Sequence, residues 1–283
     1  MSNHIIACID GSAITRPVCA AAAWVSQRLD APLRLLHVLE KDPYHHDNLS
    51  GSIGLGAREQ LLKQLTELDE QRAKLALEHG RHLLEDAAHI VREQGAVAVE
   101  TVQRHGGVVD TLLEQQPDTR VLVLGRQGEG HASLDHILGS HLEALVRGIH
   151  KPILVTVGEF TAPRAFMVAF DGSETAQRAL NAYAQSPLLK GLPCHLVMVG
   201  HTDDEHGVKL QHAADILRSR DFEVTVAHLQ GDVQPTLAAY QQQHDIGLMV
   251  MGAYGHSRIR QFFVGSHTRS MVSQSDIPLL LLR

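Results

Sequence analysis

Short, wholly apolar runs recur along the chain, and longer polar stretches punctuated by Ala and Leu separate them. Ile5-Ile6-Ala7-Cys8-Ile9 runs into Asp10-Gly11-Ser12, and Phe166-Met167-Val168-Ala169-Phe170 runs into Asp171-Gly172-Ser173. Leu33 to Val38 matches Cys194 to Val199, and Val121 to Gly125 matches Leu248 to Gly252. Lys151 to Val157 matches Ile277 to Leu282, and Val97 to Val102 and Phe222 to His228 add one further run to each half. Apolar runs of this length read as strands buried on both faces of a parallel sheet. Their alternation with helical stretches predicts βαβ units with right-handed crossovers. The predicted fold class is α/β: two tandem doubly wound domains, each with a five-stranded, mainly parallel sheet and helices on both faces. The expected boundaries are 1–158 and 164–283, with a short Gly- and Pro-bearing linker from Gly158 to Pro163.

The two copies are unequal. Asp10 and Asp171 are 161 positions apart but Gly139 and Gly265 only 126, so the first half carries about 35 extra residues. They fall after its second strand, in a helical insert at about 42–78. Leu61, Leu62, Leu65, Leu68 and Leu75 punctuate the insert, and the pattern is that of a long amphipathic helix covering the sheet.

The run Leu248 to Met251 ends at Gly252, two residues separate it from Gly255, and nine more lead to Gly265-Ser266. Glycines at a strand exit leave room for a bend and for a ligand. A Gly-Ser pair at the start of a helix offers free N–H groups and the positive end of the helix dipole to an anion. Together they predict a phosphate cradle at the carboxyl end of a parallel strand. No Gly-Lys-Ser/Thr follows, so this is not a Walker loop, and no dinucleotide G-x-G-x-x-G is present. Arg258 and Arg260, inside the loop, are of the right sign for a triphosphate.

This spacing, in two copies, resembles the universal stress protein family. The resemblance covers nearly the whole chain and implies an ATP-binding regulatory protein of the bacterial-type stress response. It implies ATP as the ligand, with Mg2+ or Mn2+ as the accompanying cation where one is held. It places Asp171 at the adenosine, Ala169 and Val199 at the adenine pocket, Met251 and Gly252 under base and ribose, and Gly255, Gly265 and Ser266 at the phosphates. On the residues alone, Asp171 reads equally as a turn or helix-cap residue, and Met251 and Val199 as core. Gly231-Asp232 resembles the family's Gly-Asp turn. The first half departs from the pattern: ten residues separate Gly128 from Gly139-Ser140, and Glu129 and Asp135 bring negative charge to the loop. Nucleotide is therefore expected in the C-terminal half.

Composition narrows the alternatives. A net charge of −7 with no Lys/Arg block argues against nucleic acid as a partner. Aromatic content of 4% favours helices on an aliphatic sheet. Cys8, Cys19 and Cys194 show no C-x-x-C spacing and read as buried thiols. No run approaches the ~18 apolar residues of a membrane span, and no signal peptide precedes the first strand, so a cytoplasmic location is expected. His79, His82, Asp86 and His89 share a helix flank and could hold a metal, though the polar side of a helix explains them as well. The last strands are expected to pair across the two domains, because apolar edges left open would aggregate. A homodimer is compatible with the same logic. A slow ATPase or phosphotransferase and a ligand-free scaffold are the rival functions.

Overall fold

The computed structural model describes residues 4–40, 55–126, 140–200, 204–252 and 271–282. The first half contributes β1 (His4–Cys8), α1 (Thr15–Leu29), β2 (Leu33–Leu39), α2 (Leu55–Glu93), β3 (Val99–His105), α3 (Val108–Gln115), β4 (Thr119–Gly125), α4 (Ser140–Gly148) and β5 (Ile153–Thr156). The second contributes β6 (Phe166–Ala169), α5 (Glu174–Ala184), β7 (Cys194–Val199), α6 (Asp204–Arg218), β8 (Val224–Leu229), α7 (Val233–Gln243), β9 (Leu248–Gly252) and β10 (Leu279–Leu282).

All ten strands form one sheet in the order β3-β2-β1-β4-β5-β10-β9-β6-β7-β8. Pairing is parallel within each half. At the centre β5 and β10 run antiparallel, with Leu154 opposite Leu280. Strand order reverses in each half next to the first strand, so β1/β4 and β6/β9 flank the crevices where an α/β sheet places its ligands. Successive strand residues point to opposite faces. Ala7, Leu35, Val123, Val168, Leu196 and Val250 join one core cluster; Ile6, Leu36, Leu122, Met167, Val197 and Met249 join the other. Side chains also tie the halves together. Arg28 Nε donates to the Leu188 carbonyl at 2.8 Å and Arg126 Nη1 to the Ser275 carbonyl at 2.6 Å, while Trp24 meets Phe160 of the linker with ring centroids 5.8 Å apart.

Three expectations are corrected. The inserted helix does not cover the sheet along its length. From Lys63 to His79 nearly every residue is exposed, with Leu75 at 65%, and only from Gly80 onward do Leu84, Ala87, Ala88 and Val91 reach the core. Gly80 marks the change because a side chain there would collide with His37 and Gln103. The third strand of the first half starts at Val99, not Val97. Val97 is 95% exposed, because the chain is still turning after Ala96 N–H closes α2 on the Val91 carbonyl. Phe222 likewise belongs to the turn closing α6, its N–H bonded to the Leu217 carbonyl, while its side chain is buried.

At the amino end of β7, His195 Nδ1 lies 3.0 Å from Tyr240 Oη, and the His195 and His244 rings are 5.1 Å apart. Burial, and then the neighbouring His244, push the His195 pKa below its ordinary value. The unfolded chain therefore binds this proton more readily than the folded one. The stability His195 contributes is present above the unfolded histidine pKa of ~6.5 and is lost as the pH falls below it. In thermal melts between pH 7 and 5, His195→Gln is expected to show a shallower acid-side fall in Tm than the parent chain.

Candidate functional site

The C-terminal crevice is built on three neighbouring strands. Ala169 ends β6 and stands in register with Met251 of β9 on one side and Val197 of β7 on the other. Val199 lies two residues further along β7, opposite Leu229. Met251 is 8% exposed within one core cluster, and half-buried Ala169 and Val199 pack against that cluster. The structure thus brings Ala169, Val199, Met251 and Gly252 to the carboxyl ends of adjacent strands. Gly255, Gly265 and Ser266 lie outside the described residues, as do Arg258 and Arg260.

Gly252 does not bend the chain. It is the last residue of β9, pairs with Leu282 and is absent from the positive-φ glycines. Packing among the described residues does not demand it either. A Cβ placed there would meet the Ala176 Cα at 3.6 Å and the Thr175 Cγ2 at 3.7 Å, which is ordinary contact. By contrast Gly172, at φ +72°, is required by the backbone itself.

Asp171 follows Phe170 beyond the end of β6. Its Oδ1 accepts from the Ser173 N–H at 2.9 Å, so it does shape the turn. It is not the helix cap: Ser173 is, its Oγ accepting from the Ala176 N–H at 3.1 Å. Asp171 stays exposed and no other hydrogen bond to its carboxylate is recorded among the described residues. The matching Asp10 is more engaged. Its Oδ1 accepts from Ser12 N–H at 3.0 Å, Ser12 Oγ at 2.7 Å and Thr15 Oγ1 at 3.3 Å. Gly231, at φ +128°, and Asp232 begin α7, where Gly106-Gly107 begins α3.

Sequence reasoning passed over two residues at this end of the sheet. Thr175 lies over Gly252, and the stem of Lys209 lies over Gly172, its Cδ 3.4 Å from where a Cβ would stand. Lys209 Nζ pairs with Glu205 Oε1 at 2.7 Å. The repeat offered a signal for Thr175, because the position two residues after Asp-Gly-Ser holds Ile14 in the first half and Thr175 in the second. Lys209 had none beyond its place on a polar helix.

Other candidates resolve differently. His79, His82, Asp86 and His89 are exposed along α2, with His82 and His89 paired to Glu85 and Glu93, each at 3.4 Å. Among the described residues no group of three His, Cys, Asp or Glu is arranged to hold a metal ion. Burial pushes the Cys8 and Cys19 thiols up to about 12, so both are protonated and inert at neutral pH. A cavity of about 700 Å³ lies over α1, bordered by Arg16, Ala20, Ile90, Glu93 and Phe160, away from the C-terminal crevice. No helix among the described residues is long and apolar enough to cross a membrane.

The chain is similar to known proteins along its whole length. The sequence profile of the universal stress protein family matches residues 1–156 and 198–283. A universal stress protein of Synechocystis sp. is 35% identical over 286 residues, covering 99% of this chain and 100% of the relative. One from Mycobacterium tuberculosis is 23% identical over 316 residues, covering 99% of this chain and 94% of the relative. The fold matches the crystal structure of a universal stress protein from Archaeoglobus fulgidus with a TM-score of 0.74 at 18% identity, over 100% of this chain and 99% of that one. With the repeated strand pattern, the ten-stranded sheet and these matches in agreement, the chain belongs to the universal stress protein family.

Proposed function

We propose that this protein is an ATP-binding regulatory protein that holds one nucleotide in the C-terminal crevice. The observation that carries this reading is Gly252. Among the described residues neither the backbone nor the packing requires glycine there, which supports a bare Cα that clears space for a ligand. Asp171, exposed and barely engaged at the neighbouring strand end, has an oxygen to offer a ribose or adenine donor. Ala169, Val199 and Met251 supply an apolar floor of the kind that buries an aromatic base. Gly255, Gly265 and Ser266 would receive the phosphates on main-chain N–H groups. Mg2+ or Mn2+, if it accompanies the triphosphate, would be held chiefly by phosphate oxygens, with Asp171 the described carboxylate at this strand end.

Binding would stabilise the native state by mass action and favour one arrangement of the crevice, which a partner could then read. A homodimer would use surfaces other than β5 and β10, which already pair within the chain. The test is to purify the protein, denature it, assay the released nucleotide, and then follow turnover with Mg2+ or Mn2+. Adenine nucleotide released in near-stoichiometric amount, without multiple turnover, is the expected result. Steady turnover would make the protein an enzyme instead, and no affinity for any adenine nucleotide would leave it a scaffold.

A further inference from the structure

We infer that Ile14 closes the nucleotide crevice of the N-terminal half, so that the chain binds one nucleotide rather than two. The inference rests on the reading of the C-terminal crevice given above. The two copies differ at the same step of the repeat.

Gly125 ends β4 as Gly252 ends β9, and both lie next to the first strand of their half. The space above them differs. A Cβ on Gly125 would fall 2.5 Å from Ile14 Cγ2, 2.8 Å from Ile14 Cγ1 and 3.2 Å from Ile14 Cβ. At Gly252 the nearest side-chain atom among the described residues, Thr175 Cγ2, is 3.7 Å away. Among the described residues, the room that one bare glycine leaves open is filled, over the other, by a branched side chain.

The cause is local and readable. In the second half Ser173 caps the helix, α5 begins at Glu174, and Thr175 lies inside the first turn. In the first half Ser12 gives its hydroxyl to Asp10 instead. Helix α1 begins only at Thr15, the equivalent of Ala176, and Ile14 is left at the cap position without a side-chain cap bond. There it packs against the core cluster beneath α1, so swinging it aside would expose apolar surface. The same rearrangement draws the Ser12 and Thr15 hydroxyls onto Asp10 Oδ1, whereas among the described residues Asp171 Oδ1 accepts the Ser173 N–H alone. Plug and engaged carboxylate are two consequences of one shifted helix start, and both work against a ligand.

Reciprocal exchange at this position is the test. Equilibrium dialysis of the full chain against labelled ATP should give one nucleotide per parent chain, a second on Ile14→Thr, and none on Thr175→Ile. Thermal melts of the ligand-free proteins should show both variants folded. A parent chain that already binds two nucleotides would overturn the inference. So would a folded Ile14→Thr that stays at one, or a folded Thr175→Ile that keeps the parent affinity. A parent chain that binds none would refute the C-terminal site itself, which is a separate result.

Discussion

Gly252→Val is expected to weaken ATP binding at least about 100-fold, or about 2.7 kcal/mol, while leaving the fold intact. Among the described residues the first added atom meets Ala176 and Thr175 at ordinary contact distance, so it is accommodated there. The remaining methyl groups have the crevice to enter, where the nucleotide would lie. Isothermal titration reads the affinity, and a thermal melt without ligand reads the fold. The double variant Gly252→Val, Gly265→Val should remove binding altogether. Unchanged affinity in the single variant would mean that the glycine serves nothing bound at this strand end.

Phe166→Ala should cost about 3–5 kcal/mol of unfolding free energy, the usual penalty for emptying a buried aromatic site. Phe166 is fully buried at the start of β6, its ring centroid 6.2 Å from that of Tyr183 and 5.9 Å from that of Phe222, both near edge-on. Such contacts add to simple burial. At roughly 2–4 °C per kcal/mol for a chain of this size, Tm should fall by about 10 °C. Urea titration would show the loss as a lower midpoint with an unchanged slope. A shift of only a degree or two would mean that the three-ring cluster is not the packed core described.

The central strands were legible because burial on both faces leaves no choice of residue. Leu248 to Met251 is apolar throughout, and all four residues are buried. The edge strands were harder. β3 carries exposed Glu100, Thr101, Arg104 and His105, so no apolar run marks its ends, and Val97 was drawn into it by composition alone. The leucines of α2 posed a different problem. Helical spacing shows that apolar residues share a face, but not whether a sheet lies beneath that face. From Lys63 on, the C-terminal third has one, and Leu68, Leu75 and Leu77 before it remain exposed.

The site was legible in part. Asp171 and Gly252 stand out in the sequence because Asp-Gly-Ser and a strand-ending glycine recur in both halves. What each glycine does was not written there. Gly172 turns the backbone, whereas Gly252 is extended and a Cβ on it meets the described residues at ordinary contact, a difference visible only in φ and in the surrounding atoms. Nor did the sequence distinguish the two crevices at the right residue. The loop acids Glu129 and Asp135 drew attention to the first half, but both lie outside the described residues. The described contrast is instead one side chain, Ile14 against Thr175, set by where a helix begins.

The most direct measurement is a crystal structure of the full chain grown with a non-hydrolysable ATP analogue. The account predicts adenosine over Ala169 and Met251 with its ribose or base at Asp171, and no nucleotide beside Asp10. Analogue bound in the N-terminal crevice, or a C-terminal crevice filled by protein side chains at saturating ligand, would contradict it.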